Sequence, residues 1–124
     1  MRCLPIEDRD QIIDAACDGL RLQGGVPMSP GLRGARDGSV ELCAAAMLVK
    51  EGVALTNSRA EANAFARMAV SRGKGFILEV GESIGISREC VSSVFTYNDG
   101  LPERDRLAGV LKRLSKLKEE ASEA

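Results

Sequence analysis

The sequence predicts an all-α domain, or nearly so, built as a compact bundle of about five helices. Apolar residues recur at intervals of three and four along most of the chain, which is the spacing of one helix face. The interior must be aliphatic, because the 124 residues include three Phe, one Tyr and no Trp. A chain of this length supports one ordinary core, so a single domain over residues 1–124 is expected.

Two helices and a long loop are predicted in the first half of the chain. The first helix covers about residues 5–22 and ends at the glycine pair that follows, since glycine is common after a helix C-terminus. Residues 23–38 form an irregular stretch, with a small β-hairpin near residues 26–40 as an alternative for part of it. Ser39 is predicted to cap a buried second helix over about residues 39–50.

The second half is predicted to be helical with short breaks. A capping box starts a helix over residues 58–73, and a short element over residues 75–84 follows. Ser87 is predicted to cap the next helix, which stops at the sequence Asn-Asp-Gly. The last helix covers about residues 102–118 and presents a leucine stripe, and a flexible tail is expected from about residue 119.

Composition excludes several kinds of chemistry. Histidine is absent from the sequence, so catalytic Ser–His–Asp or Cys–His sets and mixed Cys/His zinc sites cannot form within this chain. The four cysteines are too widely spaced for a zinc site or a disulfide framework: Cys3, Cys17, Cys43 and Cys90. We therefore expect no metal and no cofactor.

A cytoplasmic protein is predicted from the absence of export and membrane signals. The apolar run over residues 42–49 is too short to span a bilayer. The first residues turn acidic where a signal peptide would be apolar. Free thiols are typical of a reducing compartment.

Tyr97, Asn98 and Asp99 are the first candidate functional residues. Asp99 could act as a base or a ligand at a helix junction. The favoured interpretation is that the Asn98 and Asp99 side chains bond local backbone groups and fix the turn into the last helix, as such residues commonly do.

Cys43, Arg33 and Arg36 are further candidates. A cysteine in the first turn of a helix has a lowered thiol pKa, but Cys43 has no activating partner in the sequence, which favours a buried structural role. Arg33 and Arg36 lie among glycines in the long loop and could hold an anion; a mobile, solvated loop is the favoured alternative.

The segment 76–97 resembles the helix-turn-helix of bacterial transcription regulators. Gly81 stands at the small-residue position of that motif, Gly85 at its turn and Ser87 at the cap of its second helix. Val91 and Val94 stand at the two apolar positions that anchor this helix. The resemblance implies DNA contacts from the second helix, where the available side chains are Arg88, Ser92, Ser93 and Thr96. Glu82 and Glu89 would repel phosphates, and the alternative is two packed helices without a DNA-binding role.

Over about residues 10–117 the chain also resembles a family of small uncharacterised bacterial domains. The matching pieces are Asp37-Gly38, Cys43-Ala44-Ala45-Ala46 and Tyr97-Asn98-Asp99. Members of that family usually have a Thr or Ser that caps the last helix, whereas in this chain Glu103 and Arg104 stand near that position. The resemblance implies a fold and no activity.

Three functional hypotheses follow. The leading one is a non-enzymatic binding or interaction module of the bacterial cytoplasm, with a protein partner or a second copy of the chain as its partner and no membrane association. The second is a DNA-binding regulator that uses residues 76–97, which the near-neutral net charge of −1 does not favour. The third is an enzyme with a carboxylate or thiol site.

Overall fold

Six α-helices form most of the chain that the computed structural model describes, which is residues 8–29 and 40–123. In chain order they are α1 (Arg9–Gln23), α2 (Ala44–Thr56), α3 (Arg59–Arg72), α4 (Lys74–Ser83), α5 (Arg88–Asp99) and α6 (Glu103–Glu123). The described residues contain no β-strand, and the all-α prediction is confirmed. None of these helices is both long and apolar enough to cross a membrane. Residues 30–39, which hold most of the predicted hairpin, lie outside the described residues.

Helix α2 forms the centre of the bundle. Its first half is buried on every side, as predicted, and comprises Ala44, Ala45, Ala46, Met47, Leu48 and Val49. Helices α1, α3, α4 and α5 all pack against it. The three consecutive alanines permit this crowding, because their short side chains let the neighbouring backbones approach closely.

Serine caps begin α3 and α5, as predicted. Ser58 Oγ accepts a hydrogen bond from Glu61 N–H at 3.1 Å, and Ser87 Oγ accepts one from Cys90 N–H at 3.1 Å. Each bond satisfies one of the backbone donors that the first turn of a helix leaves unpaired. These helix starts are therefore specified locally.

The predicted ends of the second helix are both wrong. Cys43 caps it, with Sγ accepting a hydrogen bond at 3.5 Å from the N–H three residues later, in place of Ser39. The helix also continues through Gly52 to Thr56. Gly52 provides space instead of a stop, since a Cβ there would lie 2.6 Å from Ile84 Cδ1.

Helices α1 and α6 also differ from their predicted bounds. Helix α1 begins at Arg9, later than the predicted start near residue 5. Helix α6 continues to Glu123, past the predicted end near Lys118. The added residues are mostly Glu and Ala, which are strong helix formers. A flexible tail from about residue 119 stays a prediction.

Gln23, at the end of α1, ties down the segment that leads into α2. Its Nε2 donates to the carbonyls of Gly25 and Leu42, and its Oε1 accepts from Leu42 N–H, each at 2.8 Å. One side chain thereby pairs both backbone groups of Leu42. The approach to the central helix is fixed by this contact.

Candidate functional site

Asn98 lies fully buried in the last turn of α5 and links three parts of the chain. Its Oδ1 accepts a hydrogen bond from Ala44 N–H at 2.9 Å, at the start of α2. Its Nδ2 donates to the Pro27 carbonyl at 3.1 Å and to Asp99 Oδ1 at 3.0 Å. A buried amide lowers stability unless its polar atoms are paired, and here both ends of the amide are paired.

Both carboxylate oxygens of Asp99 are engaged as well. Oδ1 accepts from Ser29 N–H at 2.9 Å and from the Asn98 amide, and Oδ2 accepts from Lys74 Nζ at 3.2 Å. Partial burial acts to raise the pKa of the Asp99 carboxyl, but these three donors together outweigh it and hold the pKa below its ordinary value. Asp99 is therefore ionised and fully partnered at neutral pH.

Arg106 of α6 approaches the same cluster and is only 6% exposed. Its Nε donates to the Asn98 carbonyl at 3.1 Å, Nη1 to the Val26 carbonyl at 2.8 Å and Nη2 to the Leu101 carbonyl at 2.9 Å. Nη2 also lies 3.3 Å from Met28 Sδ. The Asn98 carbonyl belongs to the last turn of α5, so the guanidinium sits at the negative end of that helix dipole.

We call Asn98, Asp99 and Arg106 together the α5–α6 clamp. Their side chains bind backbone groups of residues 26–29 that lie 71, 70 and 80 residues away in the sequence. The interpretation that Asn98 and Asp99 bond local backbone groups is therefore wrong. The physical reason is burial: Asn98 faces the core, where the nearest unpaired groups belong to distant segments.

Sequence reasoning missed Arg106 although a signal was present. Arg106 falls on the same α6 stripe as Val110, Leu114 and Leu117, all of which are buried. A cation on a buried stripe needs hydrogen-bond acceptors around it. No sequence signal identified Ser29 or Lys74, because their roles depend on partners far along the chain.

Cys43 is buried and lies next to the clamp. It directly precedes Ala44, whose N–H bonds Asn98. Burial raises the pKa of the Cys43 thiol, and the hydrogen bond from Ala46 N–H opposes this only in part. The thiol is therefore protonated at neutral pH and closed to solvent.

The clamp region offers little capacity for catalysis. The carboxylate and the amide are occupied by backbone groups, and the thiol is neutral. Within the described residues, no group of three or more His, Cys, Asp or Glu side chains could hold a metal ion. The arrangement is suited to fixing residues 26–29 and the start of α2 against α5 and α6.

Tyr97, predicted as a candidate together with Asn98 and Asp99, lies apart from these two residues in the structure. It is 38% exposed, whereas its neighbour Asn98 is fully buried. Its side chain lines a hollow of about 210 Å³ together with Lys112, Arg113 and Lys116 of α6. Arg33 and Arg36 lie outside the described residues.

A larger groove of about 630 Å³ lies between α1 and α2, with Glu41, Lys50, Glu51 and Arg59 among its lining residues. The nearly buried Glu51 carboxylate accepts two hydrogen bonds from the Arg59 guanidinium, both at 3.0 Å. The Glu51 and Arg59 charges are therefore already paired with each other. This groove includes none of the residues that the sequence singled out as candidates.

Helices α4 and α5 form a tight unit joined by a short turn at residues 84–87. Gly85 has φ 96°, which favours glycine, and Ile86 N–H donates to the Gly81 carbonyl at 2.8 Å. A Cβ on Gly81 would lie 3.2 Å from Val49 Cγ2 and 3.3 Å from Val91 Cγ2. The small residue thus lets α4 pack closely against α2 and α5.

One side of α5, which we call the α5 outer face, is open to solvent. It carries the exposed residues Arg88, Glu89, Ser92 and Thr96. Arg88 Nε is bound to Glu82 Oε1 at 3.1 Å. The hydroxyls of Ser93 and Thr96 donate to carbonyls of their own helix. This face is exposed as DNA reading requires, but its cation is already paired and its Thr96 hydroxyl is engaged.

The fold and the clamp define a small all-α protein in which long-range side-chain bonds to the backbone lock the bundle. Comparison with protein-family models, with curated proteins and with solved structures gives no match for this chain. The two resemblances described above stay interpretations of the sequence.

Proposed function

We propose that the chain is a non-enzymatic binding module of the bacterial cytoplasm, and that it contacts its partner through the α5 outer face. The observation that carries the proposal is the engagement of the α5–α6 clamp. Each of its three side chains bonds backbone groups, so the conspicuous polar residues act in folding and the binding capacity belongs to the surface.

The occupied polar groups of the clamp also favour a binding protein over an enzyme. Both oxygens of Asp99 already accept hydrogen bonds within the fold, and Cys43 is neutral and buried. Nucleophilic catalysis requires an activated nucleophile. The sequence has no histidine that could act as the activating base. A hydrolysis or transfer reaction that depends on Asp99 or Cys43 would contradict the proposal.

The α5 outer face suits a binding role because a rigid scaffold presents it. The opposite side of α5 is anchored in the core by Cys90, Val91, Val94, Phe95 and Asn98. Binding surfaces on firmly held elements lose little conformational entropy when a partner docks. Free cysteines that are buried, as found for Cys17, Cys43 and Cys90, support a cytoplasmic setting.

Site-specific photo-crosslinking in the producing cells tests the proposal. A benzophenone amino acid at Thr96 should give a discrete adduct on irradiation, because this exposed position belongs to the α5 outer face. Asn63, an exposed residue of α3, provides the matched control and should give none. Adducts of equal yield at both positions, or no adduct at Thr96, would rule out the α5 outer face as the recognition surface.

Duplex DNA is the second candidate, favoured by the α4–α5 turn and the exposure of the second helix. The paired Arg88 and the neighbouring Glu89 count against it, because phosphate attraction supplies much of the affinity for DNA. Fluorescence anisotropy with a labelled duplex at low salt provides the test. Binding that is lost on combining Arg88→Ala with Ser92→Ala, with the helical circular dichroism unchanged, would support it; no binding by the intact chain would exclude it.

A further inference from the structure

The hollow between α5 and α6 is lined mainly by cationic side chains. Its volume is about 210 Å³, and the described residues that line it are Tyr97, Lys112, Arg113 and Lys116. Three of these four side chains are cationic, and none of the lining residues that the structure describes carries a carboxylate. The groove between α1 and α2, by contrast, contains cations and carboxylates together. We call this feature the basic hollow.

The helix dipole does not account for the clustered cations. Lys and Arg are favoured in the last turn of a helix, where the dipole is negative, and the effect fades within that turn. Helix α6 continues to Glu123, and its last turn contains no basic residue. Lys112 and Lys116 therefore lie well inside the helix, beyond the reach of this stabilisation.

Salt bridges do not account for the two lysines either. Elsewhere on α6, Lys118 Nζ contacts Asp14 Oδ1 at 2.8 Å. In the described part of the chain, Lys112 and Lys116 have no carboxylate within salt-bridge distance. They stand four residues apart on one helix, where like charges destabilise each other. An anion bound between them would remove this repulsion.

Tyr97 adds a second kind of contact at the same place. Tyr97 is 38% exposed and is therefore accessible to a ligand in the hollow. A phenol supplies a hydroxyl donor and a flat ring beside the lysine ammonium groups. Ammonium and hydroxyl donors of this kind bind phosphate oxygens.

We infer that the basic hollow binds a phosphate group. The inference rests on the proposed function, since the hollow adjoins the α5 outer face through Tyr97 and would form part of the same recognition surface. The phosphate has two potential sources, a small phosphorylated molecule or the backbone of a nucleic acid lying along α5. The chemistry recognised in the hollow is the same for both.

Two titrations separate the sources. In the first, inorganic pyrophosphate is added to the labelled full chain and the backbone amide shifts are followed by NMR. In the second, anisotropy reports binding of a fluorescent DNA duplex at several salt concentrations. The test variant combines Lys112→Gln with Lys116→Gln. The control combines Arg67→Gln with Arg72→Gln, which removes the same charge from exposed positions of α3.

Pyrophosphate should shift amides near residues 97 and 112–116, and the test variant should weaken binding at least about tenfold while the control changes it less than about twofold. Binding of pyrophosphate without the duplex identifies a small phosphorylated ligand. Duplex binding whose salt slope falls by about two in the test variant alone identifies a nucleic-acid backbone.

Absence of both interactions, or equal loss in the test and control variants, would overturn the inference. Photo-crosslinking at Thr96 does not depend on phosphate, so an adduct there would leave the proposed function intact. Loss of the adduct together with preserved pyrophosphate binding would instead remove the proposed function and leave the hollow as an isolated anion site.

Discussion

Asn98 and Asp99 are neighbours in sequence but perform different tasks. The amide of Asn98 is fully buried and pairs a donor of α2 with an acceptor of residues 26–29. The carboxylate of Asp99 lies nearer the surface and carries a charge balanced by Lys74. The sequence identified this pair as important, but their partners could not be predicted because they lie about seventy residues away in the chain.

The Asp99 carboxylate should make stability depend on pH in the acid range. Its folded pKa lies below the ordinary value of about 3.9, so its contribution is complete above that value and is lost as pH falls through the folded pKa. Asp99→Asn should therefore be less stable than the native chain at pH 7, and the difference should shrink on acidification. Urea unfolding over a pH series measures it.

Asp18→Asn is the control for this pH series. Asp18 is exposed on α1 and forms a solvated salt bridge with Arg21, so its replacement should change stability by no more than about 0.5 kcal/mol at any pH. A constant difference between Asp99→Asn and the native chain across the series would show that the Asp99 charge contributes nothing to folding.

Helix starts that depend on neighbouring residues could be predicted, and those that depend on distant partners could not. Ser58 and Ser87 cap the N–H three residues later, which is a local bond. The sequence predicts Ser39 as the cap of α2, because Ser is a commoner cap than Cys, but Cys43 caps this helix in the structure. The Ala44 N–H is satisfied by Asn98, and this distant bond helps to set where the helix begins.

Helix α4 provides a test of close packing. Gly81→Val would insert a branched side chain between the fully buried Val49 and Val91, and we expect the free energy of unfolding to fall by more than about 2 kcal/mol. Gly75→Val, on the same helix, has nothing within 4 Å of its Cβ and should change stability by less than about 1 kcal/mol. Urea unfolding compares the two; equal effects would show that α4 does not pack as described.

At the scale of the whole molecule, Arg106 connects the last helix to the loop after the first. The all-α class and about five of the six helices could be predicted from periodicity and caps, since both are local properties. The clamp could not, because it depends on which side of α6 faces residues 26–29 after the bundle has closed. The basic hollow likewise combines Tyr97 of α5 with residues of a different helix.

Arg106→Met should weaken this connection while retaining a long unbranched side chain. Its three carbonyl partners would lose their donors, and we expect stability to fall by about 3 kcal/mol. Hydrogen exchange at Ser29 N–H should accelerate more than at Leu48 N–H in the centre of α2, because residues 26–29 would open first. NMR-detected exchange measures both amides.

Arg104→Met, two residues away, is the matched control. Its side chain is 88% exposed, so the change should alter stability by no more than about 0.5 kcal/mol and leave the Ser29 amide as protected as in the native chain. The same acceleration in both variants would mean that Arg106 acts through general helix stability and not through its bonds to the loop.

The three cysteines that the structure describes can report how the bundle opens. Cys17 lies in α1, Cys43 at the entrance to α2 and Cys90 in α5, and all are hidden from solvent. A thiol-modifying reagent can reach each sulfur only after the surrounding helices have separated. The order in which the three react would therefore report which part of the bundle loosens first, without any introduced label.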